Sequence, residues 1–178
     1  MRIGLISDTH LTDPATDLDP GVYREFAGVD LILHLGDIYD TFVLDRLEQV
    51  APVIGIQAYP DPVDPRIAPI QILELEGLTV GMIHNLGFPE TSINTDVGVV
   101  IPSRPPAQDI LMRKFGKRLD IVIFGDTHEE LVDEQQGILF INPGSATFPG
   151  IKHALGSPGT IAMLEINDGT PIARIIQL

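Results

Sequence analysis

Short apolar runs broken by polar residues organise the first third of the chain. Arg2–Ser7, Asp30–His34 and Pro52–Ile56 read as buried strands, and Pro20–Ala27 and Tyr39–Val50 between them carry apolar residues at helical spacing. Strand, helix, strand, helix, strand at these lengths predicts a right-handed parallel unit. A proline-rich segment follows, Gln57–Pro69, with Pro60, Pro62, Pro65 and Pro69. Proline fixes φ and removes a backbone donor, so this segment is expected to be a stiff connector rather than regular structure. Ile70–Glu76 and Leu78–His84 flank Glu76-Gly77 as a hairpin, and Asn85–Pro106 is a second irregular stretch, of a length that marks functional loops. Both irregular stretches are expected to shape a pocket.

Ala107–Arg118 has Ile110, Leu111 and Phe115 on one side, with Arg113, Lys114, Lys117 and Arg118 forming a solvated face. Asp120–Phe124, Leu131–Glu134, Ile138–Ile141, Thr160–Ile166 and Pro171–Leu178 read as strands, the last two joined at Asn167-Asp168-Gly169. The first half is thus parallel α/β and the second is richer in hairpins. No linker divides them. The expected fold is one α/β domain spanning residues 1–178: a four-layer α-β-β-α sandwich with two central mixed sheets flanked by helices.

Composition narrows the chemistry. The 178 residues contain no Cys, which excludes disulfides, thiolate ligands and Cys nucleophiles. Any metal must be held by imidazole nitrogen and by carboxylate or amide oxygen. The formal charge of −14 argues against a nucleic-acid backbone as partner. It does not exclude a phosphate ester, because bound divalent ions reverse the local sign. No apolar run approaches the roughly 20 residues of a membrane span, and Ile3–Ile6 is too short for a signal-peptide core. A cytoplasmic location is expected, with no membrane partner.

His and Asp recur at strand ends. Asp8 and His10 follow the first strand in Ser7-Asp8-Thr9-His10, and Asp37 follows the second in His34-Leu35-Gly36-Asp37. His84 closes a later strand, and Asp126 and His128 follow Asp120–Phe124 in Gly125-Asp126-Thr127-His128. Ligands of open α/β sheets gather at the carboxyl ends of strands. A strand-end Asp is often only a turn or cap residue, and a lone His often only a satisfied surface group. Here the case rests on the ordered set. His34, inside its strand, is expected to orient a ligand rather than be one. His153 is expected to be solvent-exposed, and Arg104 and Lys152 to be plain surface charge.

Asp8-Thr9-His10, Gly36-Asp37, His84, Gly125–His128 and Asn142-Pro143-Gly144-Ser145 stand in the order found in the calcineurin-like metallophosphoesterases. The chain resembles the small single-domain phosphodiesterase branch over nearly its whole length. The resemblance implies a soluble hydrolase with two divalent ions, Mn²⁺ first, with Fe, Zn²⁺ or Ni²⁺ as alternatives. Asp8, His10 and His128 would bind the first ion, Asp37 would bridge, and His84 and Asp126 would bind the second. Asn142–Ser145 would support the ligand loops.

Two positions depart from the family pattern. Asp126 stands where the family has His. Ile56 stands where the family has a metal-binding Asn, leaving Gln57 as a substitute ligand and Asp61 as a more distant one. The implied reaction is hydrolysis of a small phosphate ester, a phosphodiester first, by a hydroxide held between two ions. No His follows as a leaving-group acid. A catalytically silent interaction module, as in a retromer subunit of this fold, and a single-metal phosphatase or nuclease are the alternative readings. Self-association is a further expectation, because family members often form homo-oligomers.

Overall fold

In the computed structural model the described residues are 1–59, 61–87, 93–95, 99, 101 and 104–178. The first sheet contains β1 (Arg2–Ile6), β2 (Leu31–His34), β3 (Val53–Ile56) and β4 (Ile67–Ala68), all parallel. Its other edge is built by β10 (Thr160–Asn167), antiparallel to β1, and then β11 (Thr170–Gln177). The second sheet has the order β5 (Ile70–Leu75), β6 (Leu78–Ile83), β7 (Ile121–Ile123), β9 (Ile138–Asn142) and β8 (Leu131–Gln135). Its central strands β6, β7 and β9 are parallel, and both edges are antiparallel.

The expected four layers are present, and both sheets are mixed. Helices α1 (Pro20–Glu25) and α2 (Thr41–Glu48) cover the first sheet, where Val22, Phe26, Leu44 and Leu47 pack on Ile6, Ile32 and Met163. Between the sheets, Ile3, Leu5 and Leu33 meet Val80, Met82, Ile121 and Ile141. Helix α3 (Ala107–Phe115) covers the second sheet through Ile110, Leu111 and Phe115 against Val122 and Phe140. Strands buried on both faces read as continuous apolar runs, and for that reason β1 and β2 stand out in the sequence.

Local chemistry sets the element ends. The Asp19 carboxylate accepts from Gly21 N at 2.7 Å and starts α1, and Asp40 accepts from Phe42 N at 3.3 Å and starts α2. So α2 begins after Tyr39, not at it. Helix α3 stops at Phe115, short of the expected Arg118, because Gly116 turns left-handed at φ +74°. In three hairpins a two-residue turn has positive φ at both positions: Glu76-Gly77, Gln136-Gly137 and Asp168-Gly169. The Gln57–Pro69 segment corrects one expectation. Within it Ile67–Ala68 add a short parallel edge strand to β3, with Gly55 N donating to Arg66 O at 2.9 Å. Much of the expected Asn85–Pro106 loop lies outside the described residues. No helix among the described residues is long and apolar enough to cross a membrane.

Candidate metal centre

Parallel strands bring their carboxyl ends to one side of the sandwich. The loops after β1 and β2 are zipped together, Asp8 N to Gly36 O and His10 N to Asp37 O, both 3.0 Å. The loop after β7 joins the end of β6 through Gly125 N to His84 O at 2.9 Å. Two glycines let the loops close on each other. A Cβ on Gly36 would lie 2.6 Å from His84 Nδ1, and one on Gly125 would lie 2.2 Å from Ser7 Oγ.

The backbone repeats one strained conformation. Asp8 and His10 (φ +52° and +48°), Asp37 and Tyr39 (+54° and +71°), and Asp126 and His128 (+71° and +58°) form three pairs of left-handed residues spaced by one. Asp and His tolerate this region better than most non-glycine residues, and each instance costs about 1–3 kcal/mol. The alternation aims both side chains of a pair inward from one turn. Tyr39 is the bulky exception. It is held by Asp61, whose Oδ1 accepts from Ile38 N at 2.7 Å and from Tyr39 N at 2.9 Å.

The side chains converge in two sets. In the first, His10 Nε2 lies 3.1 Å from His128 Nε2 and 3.7 Å from Asp37 Oδ2, and His128 Nε2 lies 3.5 Å from Asp8 Oδ1. One donor atom from each of Asp8, His10, Asp37 and His128 falls within 4.8 Å of the others. In the second, His84 Nε2 lies 3.7 Å from both Asp37 Oδ1 and Asp126 Oδ1. Asp37 therefore turns one oxygen toward each set.

Hydrogen bonds fix the imidazoles. His128 Nδ1 meets Phe148 O at 2.6 Å and His84 Nδ1 meets Leu35 O at 2.7 Å. A carbonyl only accepts, so each Nδ1 carries a proton and each ring turns its Nε2 toward the carboxylates. His10 is packed edge-on against Tyr39 at 4.8 Å between centroids. Burial lowers the pKa of His10 despite the opposing pull of Asp37, which keeps the ring neutral.

The Asp8 carboxylate is fully buried and neither oxygen has a hydrogen-bond partner. Burial pushes its pKa up to about 6, partly offset by His84, the adjacent Ser7 hydroxyl and His128. A fully buried carboxylate with only a hydroxyl and imidazoles around it is costly without a cation. With bonds of about 2.0–2.2 Å, donors around one ion lie about 3–3.6 Å apart, close to the spacings of the first set. These residues fit a divalent ion.

Support comes from β9 and the loop after it. Asn142 Nδ2 donates to Gly125 O at 3.0 Å, and Ser145 Oγ donates to Asp8 O at 2.8 Å. His34 is fully buried, with Nε2 3.1 Å from Thr9 Oγ1. Gln57 and Asp61 do not join the sets. The Gln57 amide donates to Pro62 O at 3.4 Å, and Asp61 spends both oxygens on backbone N–H groups of Ile38, Tyr39 and Ala58. Ile56 is fully buried in the inter-sheet core. The Gln57–Pro69 loop walls an open cavity of about 510 Å³ through Gln57, Ala58, Tyr59 and Asp61. A second cavity beside the centre, about 760 Å³, is lined by Asp126, His128, Phe148, Ile151 and His153 among others, so its wall is the 147–157 loop, to which the sequence pattern assigned no role.

Residues 1–169 match the model of the calcineurin-like phosphoesterase superfamily domain. The chain belongs to this superfamily. A probable metallophosphoesterase of Methanocaldococcus jannaschii is 38% identical over 152 residues, covering 84% of this chain and 70% of the relative. Among solved structures of this fold, Entamoeba histolytica Vps29 complexed with zinc superposes with a TM-score of 0.70 at 21% identity, covering 99% of each chain. A structure described as a novel archaeal phosphodiesterase superposes with a TM-score of 0.65 at 23% identity, covering 99% of this chain and 100% of the other.

Proposed function

We propose that this single-domain chain is a metal-dependent phosphodiesterase that holds two divalent ions, Mn²⁺ first among the candidates. Asp8, His10 and His128 hold one ion, His84 and Asp126 the other, and Asp37 is shared. The observation that carries the reading is the division of Asp37, whose Oδ2 faces His10 and whose Oδ1 faces His84, each at 3.7 Å. A carboxylate split this way links two cation sites with one side chain.

Bound there, divalent ions supply the Lewis acidity that makes water a nucleophile near neutral pH and offsets charge on a phosphoryl group. The chain's own residues do the positioning. The carbonyls of Leu35 and Phe148 hold His84 and His128 in the tautomer that presents Nε2. Buried Asp8 and half-buried Asp37 supply the negative charge that draws cations to the strand ends. The cavity beside His128 and Asp126 receives the ester, with Phe148 as an apolar wall. Neither His10 nor His128 is free to protonate a leaving group, so good leaving groups are favoured.

Hydrolysis of bis-p-nitrophenyl phosphate with added Mn²⁺ tests the reading. Asp37→Asn is expected to remove most activity while leaving the far-ultraviolet circular dichroism unchanged. An inert wild type with every divalent ion tried refutes it.

A second reading has its own support. Among the described residues the second set has three donors, Ile56 offers none, and Vps29 proteins are among the structural relatives. In that reading the chain is an interaction module or uses a single ion. Activity and the metal equivalents lost on Asp8→Asn with Asp37→Asn separate the cases: two with activity, one with activity, or no activity at any loading.

A further inference from the structure

A second group of ligand-type side chains lies outside the centre. Glu129, Glu130 and His153 each offer a donor atom within 4.8 Å of the others. Two of them follow His128 directly, and the third comes from the 148–157 loop. His153 is not the solvent-exposed residue its sequence context suggested: its side chain is 17% exposed, and Nε2 lies 2.8 Å from Glu130 Oε2.

Glu129 is the unusual member. Its side chain is 9% exposed, in a chain whose carboxylates mostly face solvent. Oε1 accepts from Lys152 N at 3.1 Å, but Oε2 is buried and accepts no hydrogen bond. The nearest positive charge is the Lys152 ammonium at 3.5 Å, on a side chain that is 58% exposed. A buried carboxylate oxygen left this way calls for a cation with firmer contact than a solvated lysine. The loop is folded around this carboxylate. A Cβ on Gly150 would fall 2.4 Å from Glu129 Oε1, so the chain passes where no side chain fits.

We propose that Glu129, Glu130 and His153 hold a further divalent cation, distinct from the pair at Asp37, that ties the 148–157 loop to the turn after β7. Two carboxylates and one imidazole form a donor set suited to Zn²⁺ or Mn²⁺. Donors around such an ion lie about 3–3.6 Å apart, so small rotations of Glu130 and His153 close the group. Glu129 and His153 also line the cavity beside the centre, so water can complete the coordination. The tie reaches the centre through the backbone. Gly150 N donates to His128 O at 3.0 Å, and Phe148 O accepts from His128 Nδ1 at 2.6 Å. Closing the loop on a cation therefore steadies His128 from both ends.

The test uses a protein whose Asp37 centre is disabled by Asp8→Asn and Asp37→Asn, so it does not depend on the phosphodiesterase reading. Zn²⁺ is titrated while the His153 imidazole is followed by NMR and the binding heat by calorimetry. The expected result is one remaining equivalent, a shifted His153 resonance and slower amide exchange at Gly150 and His153. Adding Glu130→Gln and His153→Gln is expected to abolish all three responses, and both side chains lie at the rim, where substitution spares the core. An unmoved His153 resonance overturns the proposal and leaves the 2.8 Å contact as an ordinary hydrogen bond. Equal stoichiometry with and without Glu130→Gln and His153→Gln overturns it as well.

Discussion

His10 and His128 meet Nε2 to Nε2 at 3.1 Å, although 118 residues separate them in sequence. Since His128 donates through Nδ1, its Nε2 can accept from His10 Nε2, and both nitrogens face the space a shared cation would take. Metal affinity should therefore follow the protons on this set. His10 has its pKa lowered by burial and is neutral across the physiological range. Asp8, raised to about 6, is the group with which protons compete. Mn²⁺ affinity measured by calorimetry between pH 5 and 8 is expected to be flat above about pH 6.5. Below pH 6 it is expected to fall by up to about tenfold per unit. An affinity that keeps rising to pH 8 would show that another group limits binding.

The same carboxyl burdens the ion-free fold. Its pKa is about 6 folded and 3.8 when unperturbed, so its protonation stabilises the fold fully below 3.8. That contribution is lost as pH rises through about 6. At pH 7.5 a shift of this size costs the ion-free protein about 3 kcal/mol. Asp8→Asn removes the charge and is expected to raise the melting temperature in EDTA by up to roughly 6–12 °C. It is also expected to abolish the stabilisation that Mn²⁺ gives the wild type. A variant that melts lower in EDTA contradicts the assignment.

The sequence disclosed most of this architecture because its strands are buried on both faces. Arg2–Ile6 and Leu31–His34 have no polar side to blur the pattern. The His and Asp positions were legible for a related reason: they follow those strands at once, where parallel topology brings loops together. Long-range closure was less visible. Nothing local marks Ile67–Ala68 as a strand, because only pairing with Gly55 and Ile56 makes it one. Asp61 looked like a spare ligand in a proline-rich loop, and only the fold reveals that its oxygens hold the backbone at Ile38 and Tyr39. His153 paired with Glu130 across 23 residues, a distance no motif spans.

His34 offers an acid-side counterpart. Burial, with like charge from His84 and His10, lowers its pKa from 6.5 to about 3. The unfolded chain takes up a proton below 6.5 that the folded state refuses until about 3, so stability falls as pH drops through this window. One such group gives a slope of up to about 1.4 kcal/mol per pH unit. His34→Leu also removes the contact to Thr9 Oγ1 and the acceptor for Gly36 N, costing about 1–3 kcal/mol at neutral pH. The expected signature in urea unfolding is lower stability at pH 7 with a shallower decline toward pH 4. Parallel pH profiles for variant and wild type would exclude His34 as the source.

Asp126 decides how the second set behaves. Its carboxylate lies 3.7 Å from His84 through Oδ1, and Oδ2 accepts from Asn85 Nδ2 at 2.8 Å. The side chain is 40% exposed, so water competes for the charge and weakens its hold on a cation. A histidine at this position restores the residue common in the superfamily pattern, and His tolerates the φ of +71° that Asp126 adopts. Imidazole also reaches further than the Asp carboxylate and removes one negative charge from the set. Asp126→His is therefore expected to tighten the weaker of the two Mn²⁺ equivalents at the Asp37 centre by about tenfold or more, with the tighter one unchanged. Activity on bis-p-nitrophenyl phosphate at limiting Mn²⁺ is expected to rise in parallel. If the weaker equivalent does not respond while the variant stays folded, Asp126 holds Asn85 in place and takes no part in binding metal.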